Sequence, residues 1–311
     1  VIKEPKTSFE LPGMYPLGAL RVQTSELKKC LNSVLYIIDK GDGAQWMNCV
    51  GMIPYKNDDV TKLSFIGSGT VGIATSNLSV EESTLNGAMP NMAVPVAAFS
   101  TAAKYLGGEI TLINIMAKGE ANNLGESSKP FALLLVDSTG ATFLISLHSQ
   151  EYSAKMLDIA VDTNNTAKFK ATVEGKDIAN AIRVASVGEE HVGVVISEDK
   201  KGIGIFESKT RKKGAVVKAN TSGELAGDVI VNGYYLSKCV SIYSGDILIK
   251  SNIGGVIGEP AVVCVVGNEG FSILLPIKNR ADEKVHSNAA NKAEKDAKEE
   301  KTKDAEINGE E

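Results

Sequence analysis

Residues 67 to 72 read Gly-Ser-Gly-Thr-Val-Gly, the GxGxxG spacing that lets a backbone turn approach a pyrophosphate just ahead of a helix N-terminus. That chemistry needs the helix. Here the motif follows Leu63-Ser64-Phe65-Ile66, and the segment after it, IATSNLSVEES, reads as strand and turn, so the glycines are expected to serve a strand or a bulge. The acidic run DKGDG (Asp39 to Gly43) lacks the later oxygen ligands of a calcium loop and reads as a turn. His148 stands at the end of a hairpin, His191 in a glycine-rich turn and His286 in a charged tail, without an HExxH or a Ser or Cys nucleophile context, so neither a zinc site nor a triad is expected. Cys30, Cys49, Cys239 and Cys264 lie far apart with no CxxC and no neighbouring histidine, which reads as buried thiols of a reducing compartment. The basic run SKTRKKG (Ser208 to Gly214) sits between two apolar runs as a hairpin tip, either a solvated turn or a phosphate contact. No enzyme class, metal or cofactor gains support from these residues.

The elements around them say more. A chain of 311 residues with 43% hydrophobic content can build two ordinary domains. Its apolar residues come in short alternating runs, none long enough to span a bilayer, and the proline-bearing start (Pro5, Pro12, Pro16) reads as an extended arm over 1–16 and not as a signal peptide. A cytoplasmic protein is expected. The net charge of −5 is divided: residues 278 to 311 hold 8 basic and 10 acidic residues, leaving 25 and 28 in a body close to neutral, so any anion-binding surface depends on where its basic residues point. The tail itself has almost no large apolar side chains and is expected to be disordered over 279–311.

The body repeats itself. VPVAAFSTAAKYLGGEITL (Val94 to Leu112) aligns without a gap on VNGYYLSKCVSIYSGDILI (Val231 to Ile249), each a strand end, a helix, then a Gly and an acid leading into a strand. PFALLLVDSTGATFLISL (Pro130 to Leu147) aligns on PAVVCVVGNEGFSILLPI (Pro260 to Ile277) as a second hairpin, with Gly140 and Gly270 at matching turn positions that suggest a positive φ, and with Ser146 over Pro276. VQTSELKKCLNSV (Val22 to Val34) sets against VEGKDIANAIRVA (Val173 to Ala185), a strand turning into an amphipathic helix. The fold class is therefore α+β, with tandem domains over 17–147 and 169–278, each holding two helices on antiparallel sheets. Between them 148–168 has no clear period and reads as a crossover linker with exposed Met156, Leu157 and Ile159.

The four helices share a character. Leu27, Cys30, Leu31 and Val34 face inward on the first, Phe99, Ala102, Ala103 and Leu106 on the second, Ile178, Ala181, Ile182 and Ala185 on the third, and Leu236, Cys239, Val240 and Tyr243 on the fourth. Their opposite faces carry Lys28, Lys29, Lys104, Lys176, Arg183 and Lys238, a neutral-to-basic track suited to phosphate contacts without base reading if the helices line one surface.

This pattern resembles the DNA sliding clamps, the processivity factors of replicative polymerases, over roughly residues 17 to 277. The segment VIVNGYYLSKCVSIYSGDILIKSNIGGVIGEPAVVCVVGNEGFSILLPIK looks like the end of a bacterial clamp's final domain, and MAVPVAAFSTAAKYLGGEITLI is similar to a clamp helix and strand. The resemblance implies a protein without catalysis that encircles double-stranded DNA independently of sequence and tethers a DNA polymerase, with a clamp loader as a further partner. Two domains where the bacterial clamp has three imply a head-to-tail homotrimer and suggest a phage source. It implies that Lys28, Lys29, Lys104, Lys176, Arg183 and Lys238 face the duplex, and that Met156, Leu157 and Ile159 with Leu275, Pro276 and Ile277 form a pocket for a partner's peptide. The sequence lacks strong basic clustering on these helices. Two other readings fit the residues: a monomeric polymerase accessory protein held on DNA by charge, and a scaffold binding only proteins in phage transcription.

Overall fold

The computed structural model describes residues 11–38, 48–57, 60–85, 91–119, 129–188, 190–196, 201–223, 229–243, 245–252, 262–267 and 270–276. Among these the chain runs β1 (Met14–Gln23), α1 (Thr24–Leu35), β2 (Cys49–Asn57), β3 (Val60–Gly69), β4 (Gly72–Ser79), β5 (Glu82–Ser83), β6 (Met92–Pro95), α2 (Val96–Tyr105), β7 (Ile110–Lys118), β8 (Pro130–Asp137) and β9 (Thr142–Ser146). After α3 (Ala154–Thr166) the same order returns: β10 (Phe169–Glu174), α4 (Gly175–Ala185), β11 (His191–Ile196), β12 (Gly202–Glu207), β13 (Gly214–Lys218), β14 (Asn220–Ser222), β15 (Val229–Asn232), α5 (Gly233–Ile242), β16 (Asp246–Asn252), β17 (Val262–Gly267) and β18 (Gly270–Leu274).

The repeat is carried element by element. In the ungapped alignment the first residue of α2, Val96, falls on the first of α5, Gly233, and the first of α1, Thr24, falls on that of α4, Gly175. Sheet order follows suit, as β5-β1-β7-β8-β9 is matched by β14-β10-β16-β17-β18, and β4-β3-β2-β6 by β13-β12-β11-β15. All strand pairs are antiparallel. One joint breaks the symmetry: β18 of the second repeat pairs with β4 of the first, with Phe271 opposite Thr75 and Ile273 opposite Ile73, fusing two sheets into one of nine strands.

Near the joint, alternation along that fused sheet buries side chains on both of its faces. Val263, Val265 and Leu274 point into the main core with the apolar stripes of α1, α2, α4 and α5. Cys264 and Ile273 point the other way, against Ala160 of α3, which packs on β16, β18 and β4. On the core side α1 packs on α2 and α4 on α5. Phe65 and Phe99, ring centroids 6.0 Å apart, lock β3 to α2.

Four local readings change. The segment 148–168, expected as a linker without regular structure, contains α3, a fifth helix. Its first turn, Ala154 to Leu157, is made of good helix formers, but most of the rest is β-branched or short and polar and favours helix weakly, so docking on the sheet helps to hold it. His191 opens β11 and does not sit in a glycine-rich turn. Gly140 has φ +94 as its turn position suggested, but Gly270 is not in the left-handed region; a Cβ there would stand 2.1 Å from the Thr75 carbonyl oxygen, so it is needed for the approach of β4. The hairpins also differ in register by one residue. Leu134 faces Leu144 in the first, and the aligned Cys264 faces Ile273 in the second, which places Leu275 and not Pro276 in the position of Ser146.

Candidate nucleic-acid and partner-binding surfaces

The glycine motif resolves first, because its residues lie at contacts and not at a phosphate. Gly67 and Gly72 lie on either side of the β3–β4 turn; a Cβ on Gly67 would lie 2.3 Å from the Val34 carbonyl oxygen in the last turn of α1, and one on Gly72 would lie 2.0 Å from that of Ile273 across the fused sheet. Both permit close backbone approach. The basic run Ser208 to Gly214 does join β12 to β13, with Lys213 Nζ donating to the Val187 carbonyl at 3.0 Å.

Of the predicted basic residues, Lys29, Lys104, Lys176, Arg183 and Lys238 are exposed and Lys28 is half-buried, and they are distributed over α1, α2, α4 and α5. Each of these helices turns its apolar stripe into the same core, so the basic residues sit on the side of the sheets opposite α3. Two lysines are steadied by aromatic rings: Lys104 Nζ lies 5.3 Å from the centroid of Tyr105, and Lys238 Nζ 5.5 Å from that of Tyr234. Arg183 donates to Asn180 Oδ1 at 3.5 Å one turn back. Tyr105 and Tyr234, 61% and 59% exposed, escaped the sequence reading, although Tyr234 and Lys238 stand four residues apart on one helix. The start of α5 is fixed by Asn232, whose Oδ1 accepts from the backbone of Tyr234 at 2.9 Å and of Tyr235 at 3.4 Å.

The opposite face holds α3. Met156, Leu157 and Ile159 lie on α3, their side chains outside the described set, and Ile277 lies outside the described residues. Leu275 is 44% exposed and extends β18 by donating its N–H to the Val71 carbonyl at 2.9 Å, and Pro276 is half-buried. Strand alternation from Ile273 turns Leu275 toward α3.

Two polar clusters fix the frame. Asp137, wholly buried, accepts through Oδ2 from the N–H of Gly107 at 2.7 Å and Gly108 at 3.0 Å, and through Oδ1 from Thr139 N, Thr139 Oγ1 and Ala141 N at 2.9, 2.6 and 2.9 Å. Burial alone would raise its carboxyl, but the Thr139 hydroxyl and the three backbone donors outweigh it and hold the pKa at about 2. Across the joint, Tyr36 at the end of α1 donates its hydroxyl to Ser272 Oγ at 2.8 Å and lies 3.0 Å from Cys239 Sγ. Burial pushes the thiols of Cys239 and Cys264 up to about 12. His148 lines a cavity of about 140 Å³ with Met92, Pro130 and Phe131, below the several hundred Å³ typical of a small-molecule site. Among the described residues no group of three or more His, Cys, Asp or Glu could hold a metal, and no helix is long and apolar enough to cross a membrane.

Neither a protein-family model nor the sequence of a curated protein matches the chain. Solved structures do. The beta sliding clamp of Caulobacter crescentus is similar with a TM-score of 0.64 at 15% identity, over 88% of this chain and 68% of that one. A DNA polymerase sliding clamp from Bacillus subtilis matches with a TM-score of 0.65 at 15% identity, over 88% and 67%. The DNA polymerase III beta subunit of Thermotoga maritima matches with a TM-score of 0.63 at 13% identity, over 88% and 68%. At these identities the likeness is one of fold, and the chain has the fold of the bacterial beta sliding clamps across most of its length.

Proposed function

We propose that the chain is a sliding clamp: copies of it close head to tail, as a homotrimer, around duplex DNA and tether a DNA polymerase without chemistry of their own. The observation that carries this reading is the repeated unit whose α1, α2, α4 and α5 all back onto one core, joined within the chain by the β18–β4 ladder. Four helices on one side of the sheets give a surface that can be wrapped around a cylinder. Lys28, Lys29, Lys104, Lys176, Arg183 and Lys238 would meet phosphates there, few enough to leave the duplex free to slide. On the other face exposed Leu275 and half-buried Pro276 would dock a short partner peptide from the polymerase or a loader, with α3, which carries Met156, Leu157 and Ile159, on the same side of the sheet.

Retention on DNA tests the reading. The protein loaded on a nicked circle should stay bound through a high-salt wash and leave when the circle is cut, because topology and not charge holds it. Release by salt from circle and line alike would favour a monomeric accessory protein held by charge.

A further inference from the structure

In the second repeat the sheet face turned away from α4 and α5 is covered by α3, whose Ala160 meets Cys264 and Ile273. The first repeat has the same face. Ala132, Leu134 and Val136 of β8 and Met116 of β7 point away from the helices, while Leu133, Leu135, Ile113 and Ile115 between them point into the main core. Leu134 is the aligned counterpart of Cys264. The four outward residues are between 0% and 3% exposed, against 47% for Leu144, which faces Leu134 from β9. The described apolar residues packed on them are Leu11 and Met14, both half-buried. Two half-buried side chains at one end of a sheet do not seal four others this completely, so a further segment of the chain covers β7 and β8 and stops short of β9.

The chain before β1 leads onto that face. Leu11-Pro12-Gly13-Met14 has the features of a type II turn, with proline at its second position, Gly13 at φ +71 in its third, and the Met14 N–H donating to the Leu11 carbonyl at 3.0 Å. β1 leaves the turn paired with β7, so the residues before Leu11 are reversed against β1 and run back along the side on which Leu11 already packs. Those residues, VIKEPKTSFE, span at most about 33–36 Å when extended, and the nine residues of β7 about 30 Å. Val1, Ile2 and Phe9 supply large apolar side chains, and Phe9, two before Leu11, shares its side in an extended chain. The loop joining β7 to β8, EANNLGESS over 120–128, has Leu124 as its one large apolar residue.

We propose that residues 1–10, which lie outside the described residues, dock as a strap along the outer face of β7 and β8, taking the place in the first repeat that α3 takes in the second. In the clamp proposed above, the face under α3 is the one that offers Leu275 and Pro276 to a partner peptide, so the strap fills the first repeat's copy of that face with a segment of the chain itself. That consequence rests on the clamp reading, and the strap does not.

Ala132→Cys puts a thiol beneath the strap, and the four native cysteines are buried. In the 311-residue chain this thiol should react slowly with a maleimide, and deletion of residues 1–10 should speed the reaction roughly tenfold or more with an unchanged circular dichroism spectrum. A synthetic peptide of residues 1–13 added to the deletion variant should slow it again. Phe9→Ser within the full chain should also speed labelling, which keeps the test readable if the deletion costs the fold. Fast labelling in the unshortened chain would overturn the proposal, as would a thiol that stays protected in the folded deletion variant, which would assign the cover to 120–128. Labelling is read on the free protein, so a failed strap leaves the clamp reading untouched, and failure to stay on circular DNA leaves the strap standing.

Discussion

At the scale of single residues, buried polar groups and close-approach glycines specify this fold more sharply than its aliphatic core. Asp137 ties the turn after β8 to the turn before β7 with five accepted hydrogen bonds. Its pKa of about 2 lies below that of an unfolded aspartate, roughly 3.9, so the ionised carboxylate stabilises the fold above pH 4 and that contribution is lost as pH falls toward 2. Asp137→Asn should therefore cost about 2 kcal/mol at neutral pH, read by urea denaturation, and the gap from the unsubstituted protein should narrow steadily between pH 4 and pH 2. A gap that does not change with pH would assign the cost to geometry alone. Gly67→Ala forces a methyl group into the Val34 carbonyl and should destabilise by about 1–3 kcal/mol. A nucleotide-binding role would instead leave stability unchanged. Tyr36→Phe removes the hydroxyl that donates to buried Ser272 and should cost about 1 kcal/mol, with early opening of the β18–β4 joint seen by hydrogen exchange.

At the scale of elements, helix positions were legible because amphipathic stripes repeat at the same spacing in both halves, so Val96 and Gly233, or Thr24 and Gly175, could be set in register from apolar residues alone. The stripes read as inward are buried or nearly so, from Leu27 and Leu31 to Leu236 and Cys239. What was not legible depends on tertiary contact. α3 gains its stability from a sheet made by residues far along the chain, and its Asp-Thr-Asn-Asn-Thr end looks like a turn when seen by itself. The one-residue difference between the hairpins hides in an ungapped alignment, because the first repeat spends Asp137 and Thr139 on a wider turn where the second has Gly267 against the Tyr243 ring. The basic faces could be read from the sequence, but the tyrosines that steady them could not be told from core aromatics. Charge reversal tests those faces as a set. Lys104→Glu with Arg183→Glu should lower the slope of log affinity against log salt by roughly one unit for each phosphate no longer neutralised and leave the solution mass unchanged. An unaltered slope would mean that these helices do not face nucleic acid.

At the scale of the molecule, one repeated unit is joined to its copy by a strand ladder, and the same ladder has two open ends. A heterologous contact of this kind either closes or grows into a filament. The proposed clamp reading requires closure by a small number of copies. The central claim is therefore about assembly, and mass in solution reaches it most directly. Light scattering on the purified 311-residue chain at tens of micromolar should give a single species at about three times the 32.9 kDa chain mass. A species of one chain mass across that range, with the fold intact, would contradict the account.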